Sequence, residues 1–488
     1  MSRINKALLA LALALLVAPL RAEPHDDDDS RYEVKYSKDL HFGGGRVTID
    51  HRFGDLNVKT QSGSTVSVRA TIRSSDPDIG KAIRIAASED GGNVNVRTIF
   101  PSIHSTGHLS YSVDMTVTIP TNAQLTAKNQ FGATDVRGLR AGATLDNKQG
   151  SIVFADARGG AFNVSNAFGS IDIVDVDGAL TVGNSNGSIN VKNAGSSLSI
   201  NNRFGSVTVD DAKSNVSITN TNGTITALDI NGALTVTNSF GNVKASTLAS
   251  SASITTSNAK VDLSNVNGAA TVKNSFGTVV AQTIRGDLTV DSNNSKVDAV
   301  NVSGNAKIET AFGNVTLQNV AGIADVTTSN GNIKVMDVGG AFTAETRFGS
   351  VRAERVRGSA DVKGSNGGIT LQEINGDVKV RTSFGAAFVN GATGTIDVQN
   401  ENGAISVEGL RGGCKPVTLR TTFSSIKVAL PPSIGYSVSA RTSFGRISSE
   451  LPITTTNVGE DTLIGTIGRG GCRLDLSNSN GSITIAKD

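Results

Sequence analysis

Histidine, the side chain that most readily moves protons near neutral pH, occurs five times in 488 residues, and none lies beyond His108. No Ser-His-Asp or Cys-His arrangement can be drawn from the rest of the chain. His104 and His108, in "HSTGH", stand four apart, but zinc needs further ligands and the stretch reads as an exposed loop. A second set with chemical capacity is Asp175, Asn193, Asp211, Asp229, Asn265, Asn301, Asn319 and Asp337, each six residues after a turn position. Such side chains close turns on their own backbone. Asp211 and Asp229, with Asp210 nearby, would also suit a cation, although the "GGxGxD" pattern of calcium-loaded β-rolls is absent. Lys307 beside Asp325, and Asp361 beside Lys379 and Asp397, read as ordinary cross-strand charge pairs. No metal, cofactor or catalytic group is expected, and the chain reads as a non-enzyme.

The elements that carry these residues come from a repeat. Gly169, Gly187, Gly205, Gly223 and Gly241 are separated by 18 residues, and the register continues to Gly403, with Ala259 and Ser295 standing in for glycine. The preceding residue alternates, Phe168, Asn186, Phe204, Asn222 and so on, so the full period is 36. Within "FGSIDIVDVDGALTVGNS", apolar and polar residues alternate as in strands with one buried face. A unit this short cannot bury its own face. Stacking would align Ile171, Ile189, Val207, Ile225 and Val243 in one column. The expected fold is all-β, a parallel β-solenoid of about 18 residues per coil. The preference for right-handed parallel crossovers makes it right-handed. From Gly132 to Gly403 about 15 coils give a rod of roughly 70 Å.

Two residues before the alternating position runs an inward corner column, Asn129, Asn147, Asn166, Asn184, Asn202, Asn220 and Asn238, continuing with threonine and serine to Asn400. Stacked asparagines are expected to hydrogen-bond from coil to coil. The phenylalanines are expected to cap the core at a corner, recurring every ~9.6 Å, with an exposed adhesive row as the other reading. The pair Thr235 and Thr237 hints at ice binding, but Ser199, Asn201, Lys273 and Asp291 break the array.

Residues 1–22 read as a signal peptide, with Arg3 and Lys6 before an apolar run from Ala7 to Leu20 that is too short to span a membrane. Its removal takes three bases and no acid, leaving the 45 Lys and Arg and 43 Asp and Glu close to balance. That excludes the basic stripe of a nucleic-acid binder. Residues 23–32 form an acidic leader, 33–130 a strand-rich N-terminal cap, 131–424 the regular coils, and 425–488 C-terminal coils with loop insertions. Cys414 and Cys472, the only cysteines, favour a disulfide in an exported chain. Counting insertions as loops puts their strands two coils apart, ~9.6 Å, beyond the ~7 Å reach of a bridge unless the turns converge.

The chain resembles the bacterial adhesin-like proteins built on a β-strand-repeat domain of unknown function. The resemblance rests on "IDHRFGDLNVKT" (Ile49–Thr60), the alternating "FG" and "NG" turns, and "GTIGRGGCRLDLSNSNGSITI" (Gly465–Ile485). It covers most of the chain after about residue 33. The array is long for the group, and Cys472 stands in a turn usually made of small residues. The resemblance implies an exported solenoid with no catalytic residues. The expected role is a rigid surface binding a cell-envelope glycan or surface protein, in the periplasm, at the cell surface or outside. A glycan-active β-helix lyase or hydrolase is the alternative.

Overall fold

The computed structural model describes residues 32–102, 109–459 and 461–488. The expected leader 1–22, nearly all of 23–32, and His104 and His108 lie outside them. Side-chain alternation sets the unit. After Gly187, strands Ile189–Ala194 and Leu198–Phe204 bury Ile189, Val191, Ala194, Leu198 and Ile200. Asn190, Lys192, Ser199 and Asn201 face out. Each inward residue lies beside its counterpart in the next coil, Ile171 by Ile189, then Val207, Ile225 and Val243. The result is a parallel β-solenoid of about 17 turns. One coil holds an extra residue, so Asn147 pairs with Asn166 across an irregularity between Arg158 and Ala161.

Two backbone devices bend each coil. One is the turn glycine. At Gly205 φ is 129°, and a Cβ there would sit 2.2 Å from the Gly187 carbonyl oxygen, so the turns stack at a distance only glycine permits. Where Ala259 and Ser295 replace it, the backbone stays at negative φ within uninterrupted strands, Ala252–Val266 and Leu288–Val302. The second device is a left-handed residue six positions later, with φ from 51° at Asp156 to 60° at Asp337. Asn and Asp tolerate that conformation best, which explains the Asp/Asn column. The same position holds Thr247, Thr283, Arg355 and Glu373 at similar φ. The Asp211 carboxylate is engaged by Lys213, and among the described residues no group of three His, Cys, Asp or Glu could hold a metal ion.

Both ends depart from simple stacking. The coil formed by Arg46–Asp50 and Leu56–Gln61 lies between Asn93–Ile99 with Tyr111–Pro120 on one side and Gln124–Phe131 with Thr134–Arg137 on the other. Antiparallel strands Tyr32–His41, Thr65–Ser74 and Arg84–Asp90 cover that end. At the other end Cys472–Ser477 and Ile483–Lys487 insert between Val417–Arg420 with Ile426–Leu430 and Tyr436–Arg441 with Ile447–Ser449. Within 425–488, where loop insertions were expected, Leu451–Gly471 instead contains an antiparallel hairpin, Ile453–Val458 with Thr462–Ile467, docked on Tyr436–Arg441.

This insertion corrects the two-coil separation expected between the cysteines. Val417 pairs directly with Leu474, because the last coil enters the stack ahead of the one before it in the chain. Cys414 and Cys472 are bonded, with Cα atoms 5.3 Å apart. The outermost strands at the N-terminal end carry charges, such as Lys35 and Lys38 on Tyr32–His41, which discourages edge-to-edge pairing.

Candidate binding surface

The corner before each turn glycine positions the aromatic row. In Leu198–Phe204, alternation runs inward at Leu198, Ile200 and Asn202, and then stops. The Asn202 amide donates to the carbonyls of Gly187 and Gly205 and fastens the corner there. Phe204, next in phase to point inward, is turned out instead. The same holds along the row, from Phe131 at 39% exposure through Phe240 at 51% to Phe444 at 75%. The rings are therefore not caps on the core. In the next coil Phe204 lies by Asn222 and Phe240 by Asn258, while Gln149 stands between Phe131 and Phe168, so rings recur every second coil, ~9.6 Å.

The inward column also differs from the expected amide-to-amide ladder. Asn184 Nδ2 donates to the Gly169 carbonyl at 2.9 Å, and Asn238 Nδ2 to those of Gly223 and Gly241 at 3.1 and 2.8 Å. The side chains thus tie turn to turn through backbone, while their Oδ1 atoms have no hydrogen-bond partner among the described residues. Thr346 and Thr421 continue the role through their hydroxyls, which donate to Gly331 and Gly403 carbonyls.

At the N-terminal end the row closes into a cluster. Phe53 stacks on Phe131 with ring centroids 4.9 Å apart and meets Phe100 and Tyr111 edge-on at 5.0 and 5.1 Å. His51 occupies the asparagine column there, opposite Asn129 in the register that pairs Asp50 with Lys128. It is wholly buried, and neither ring nitrogen makes a hydrogen bond among the described residues. Burial pushes its pKa down to about 4, opposed in part by the nearby backbone of Gly54 and Val113 and by the charges of Asp114 and Asp55. The unfolded chain takes up a proton near pH 6.5 that the folded chain refuses until about pH 4. Stability is thus full above pH 6.5 and falls as pH drops towards 4, by roughly 3 kcal/mol over that window. Melting curves of the native chain and of His51→Asn between pH 7 and 4 check this. The variant, which restores the column residue, is expected to flatten the acid slope.

The outward charges expected to pair across strands do so, or pair with a near neighbour. Lys307 bonds Glu309 at 2.9 Å and lies beside Asp325. Lys379 pairs with Asp361 at 3.5 Å, and Asp397 is taken by Arg381 at 2.6 Å. A groove of about 610 Å³ is lined by Asp337, Arg355, Arg357, Glu373 and Arg411, among others. In its wall Arg355 grips Asp337 with two hydrogen bonds of 2.6 and 2.9 Å and holds that carboxyl below its usual range. Carboxylates paired in this way with arginine or lysine are poor proton donors. Neither Arg355 nor His51 was singled out by sequence. For His51 the signal was present: "HRFG" at 51–54 matches "NRFG" at 202–205.

Residues 326–486 match the protein family described as Toastrack DUF4097. The match covers about the C-terminal third of the chain. That meets the resemblance read from the sequence. No curated protein matches the chain. The solved structures similar to it include the following two. One, named for cell adhesion, is from Clostridium sporogenes, 10% identical, with 94% of this chain and 100% of that chain covered and a TM-score of 0.16. The other, named as an adhesin, is from Parabacteroides distasonis, 12% identical, with 71% and 97% covered and a TM-score of 0.16. Superpositions that loose carry no argument about this chain. The matched residues include the four most exposed rings of the row, Phe348, Phe384, Phe423 and Phe444, and the disulfide. Among the described residues no helix is long and apolar enough to cross a membrane.

Proposed function

We propose that the protein is an exported, non-catalytic solenoid whose row of phenylalanines forms a rigid binding surface for a cell-envelope glycan or surface protein. The observation that carries this is the exposure of the rings. A ring left half in water at every second coil gains the fold little, while a straight row of them offers a partner repeated, pre-ordered apolar contacts. The backbone that presents them is fixed by the inward asparagine column bonded to the turn carbonyls, so binding costs little ordering.

Phe240→Ala is expected to change stability by less than about 1 kcal/mol, because the ring is half exposed and leaves no core cavity. Phe240, Phe276, Phe312, Phe384, Phe423 and Phe444 changed together to Ala are expected to abolish capture of envelope fractions by the mature chain at nearly unchanged melting temperature. Capture undiminished in that sixfold variant would sink the reading. Release of shortened products from a panel of glycans would favour the enzyme instead.

A further inference from the structure

The last three phenylalanine coils differ from the others in one respect. Each carries an arginine three residues before the ring: Arg381-Thr382-Ser383-Phe384, Arg420-Thr421-Thr422-Phe423 and Arg441-Thr442-Ser443-Phe444. Strand pairing sets them in one ladder, Arg381 beside Gln399, then Arg420, Ser477 and Arg441. The inserted final coil supplies Ser477 and Asn480, and so keeps the second and third arginine–phenylalanine units two coils apart like the first and second. The repeat is ~9.6 Å. Earlier phenylalanine coils place Asp50, Lys128, Ser165, Asn201, Thr237, Lys273, Glu309 and Glu345 at the arginine position, so only this end is uniformly cationic. Arg381 is held by Asp397, whereas Arg420 and Arg441 make no ion pair among the described residues and are exposed. Arg381 and Arg420 line an open groove of about 520 Å³ together with Lys363 and the hydroxyls of Ser383 and Thr422, with Glu401 as its one acid. The rings that follow these residues in the chain, Phe384, Phe423 and Phe444, are the most exposed of the row.

We infer that this end of the row binds a linear acidic polysaccharide, with sugar faces on Phe384, Phe423 and Phe444 and an anionic group of every second sugar on the matching arginine. The inference rests on the binding role proposed above and names its ligand class. Charge complementarity selects an acidic polymer. The two-coil repeat selects a chain whose anion recurs once per extended disaccharide. Arginine offers a carboxylate or sulfate a two-point fork, and an aromatic face accepts the C–H face of a sugar without demanding sequence.

The test uses the full mature chain with hyaluronan oligosaccharides, which carry one carboxylate per disaccharide, polygalacturonate oligosaccharides, which carry one per sugar, and neutral cello-oligosaccharides of equal length. Hyaluronan is expected to bind most tightly and to weaken as salt rises. Arg420→Ala with Arg441→Ala is expected to cost about 100-fold, roughly tenfold per arginine, and Phe423→Ala with Phe444→Ala a comparable loss. Both pairs are exposed, so unchanged melting confirms folding, and the two pairs check one another. Acidic oligosaccharides bound no better than neutral ones, or binding indifferent to the arginine pair, overturn the inference. Neutral oligosaccharides bound as tightly as acidic ones through Phe423 and Phe444, or envelope capture through those rings unaffected by the arginine pair, would do so while leaving the wider function standing. Envelope capture indifferent to every phenylalanine change would remove both.

Discussion

Ile189→Asp is expected to unfold several coils together, at a cost of about 5 kcal/mol. Ile189 is wholly buried between Ile171 and Val207 on neighbouring coils. A carboxylate there has no partner and no water, and neutralising or exposing it disrupts a column shared by adjacent units. Hydrogen exchange should show the loss of protection spreading from Ile171 to Val243 rather than staying within one coil. Asn190→Asp, one residue along and facing water, is the control and is expected to stay within about 0.5 kcal/mol. A melting temperature for Ile189→Asp equal to the parent's would refute the inward assignment.

Cys414→Ser is expected to cost roughly 4 kcal/mol on the loop-closure account, since the bridge spans 58 residues of chain. The enclosed segment contains Val417–Leu430, Tyr436–Ser449 and the terminal hairpin, and the bridge ends at the first residue of the inserted coil. Its loss should therefore free the C-terminal layers as one unit, leaving exchange protection before about residue 400 unchanged. Mass spectrometry of the non-reduced exported protein gives the companion result, with no alkylatable thiol expected. Two free thiols would show that the bridge does not form in the native protein.

The repeat was legible because its cause is local. Eighteen-residue spacing, with alternation at Ile171–Ile173 and again at Leu180–Val182, leaves stacking as the one way to bury both strands. The phenylalanines were legible as a row but assigned to the wrong side. Period-2 counting carries Phe204 inward after Asn202, and only the hydrogen bonds of Asn202 to two successive turns show that the pleat ends one residue earlier. Order at the C-terminal end was misread by counting along the chain. The ring-then-asparagine alternation contained the answer: Phe423 and Phe444 follow one another in sequence, and Asn480 restores the pattern only when its coil lies between them. His51 was hidden by distance, since Asn129, the neighbour that reveals its column, lies 78 positions away.

The insertion also fixes the order in which the molecule can be assembled. A polypeptide leaving a ribosome or secretion channel N-terminus first delivers Tyr436–Ser449 before Cys472–Lys487, yet Ile447 finds its ladder partner only when Ile483 arrives. From Gln124 to Leu430 each coil can template the next as it emerges. The layers beyond cannot, and must wait and close as a set. The other end mirrors this, because Arg46–Gln61 emerges early and needs both Asn93–Ile99 with Tyr111–Pro120 and Gln124–Phe131 with Thr134–Arg137 to complete its ladders. Growth by templating therefore belongs to the middle of the stack, and the slow steps of maturation belong to its two ends.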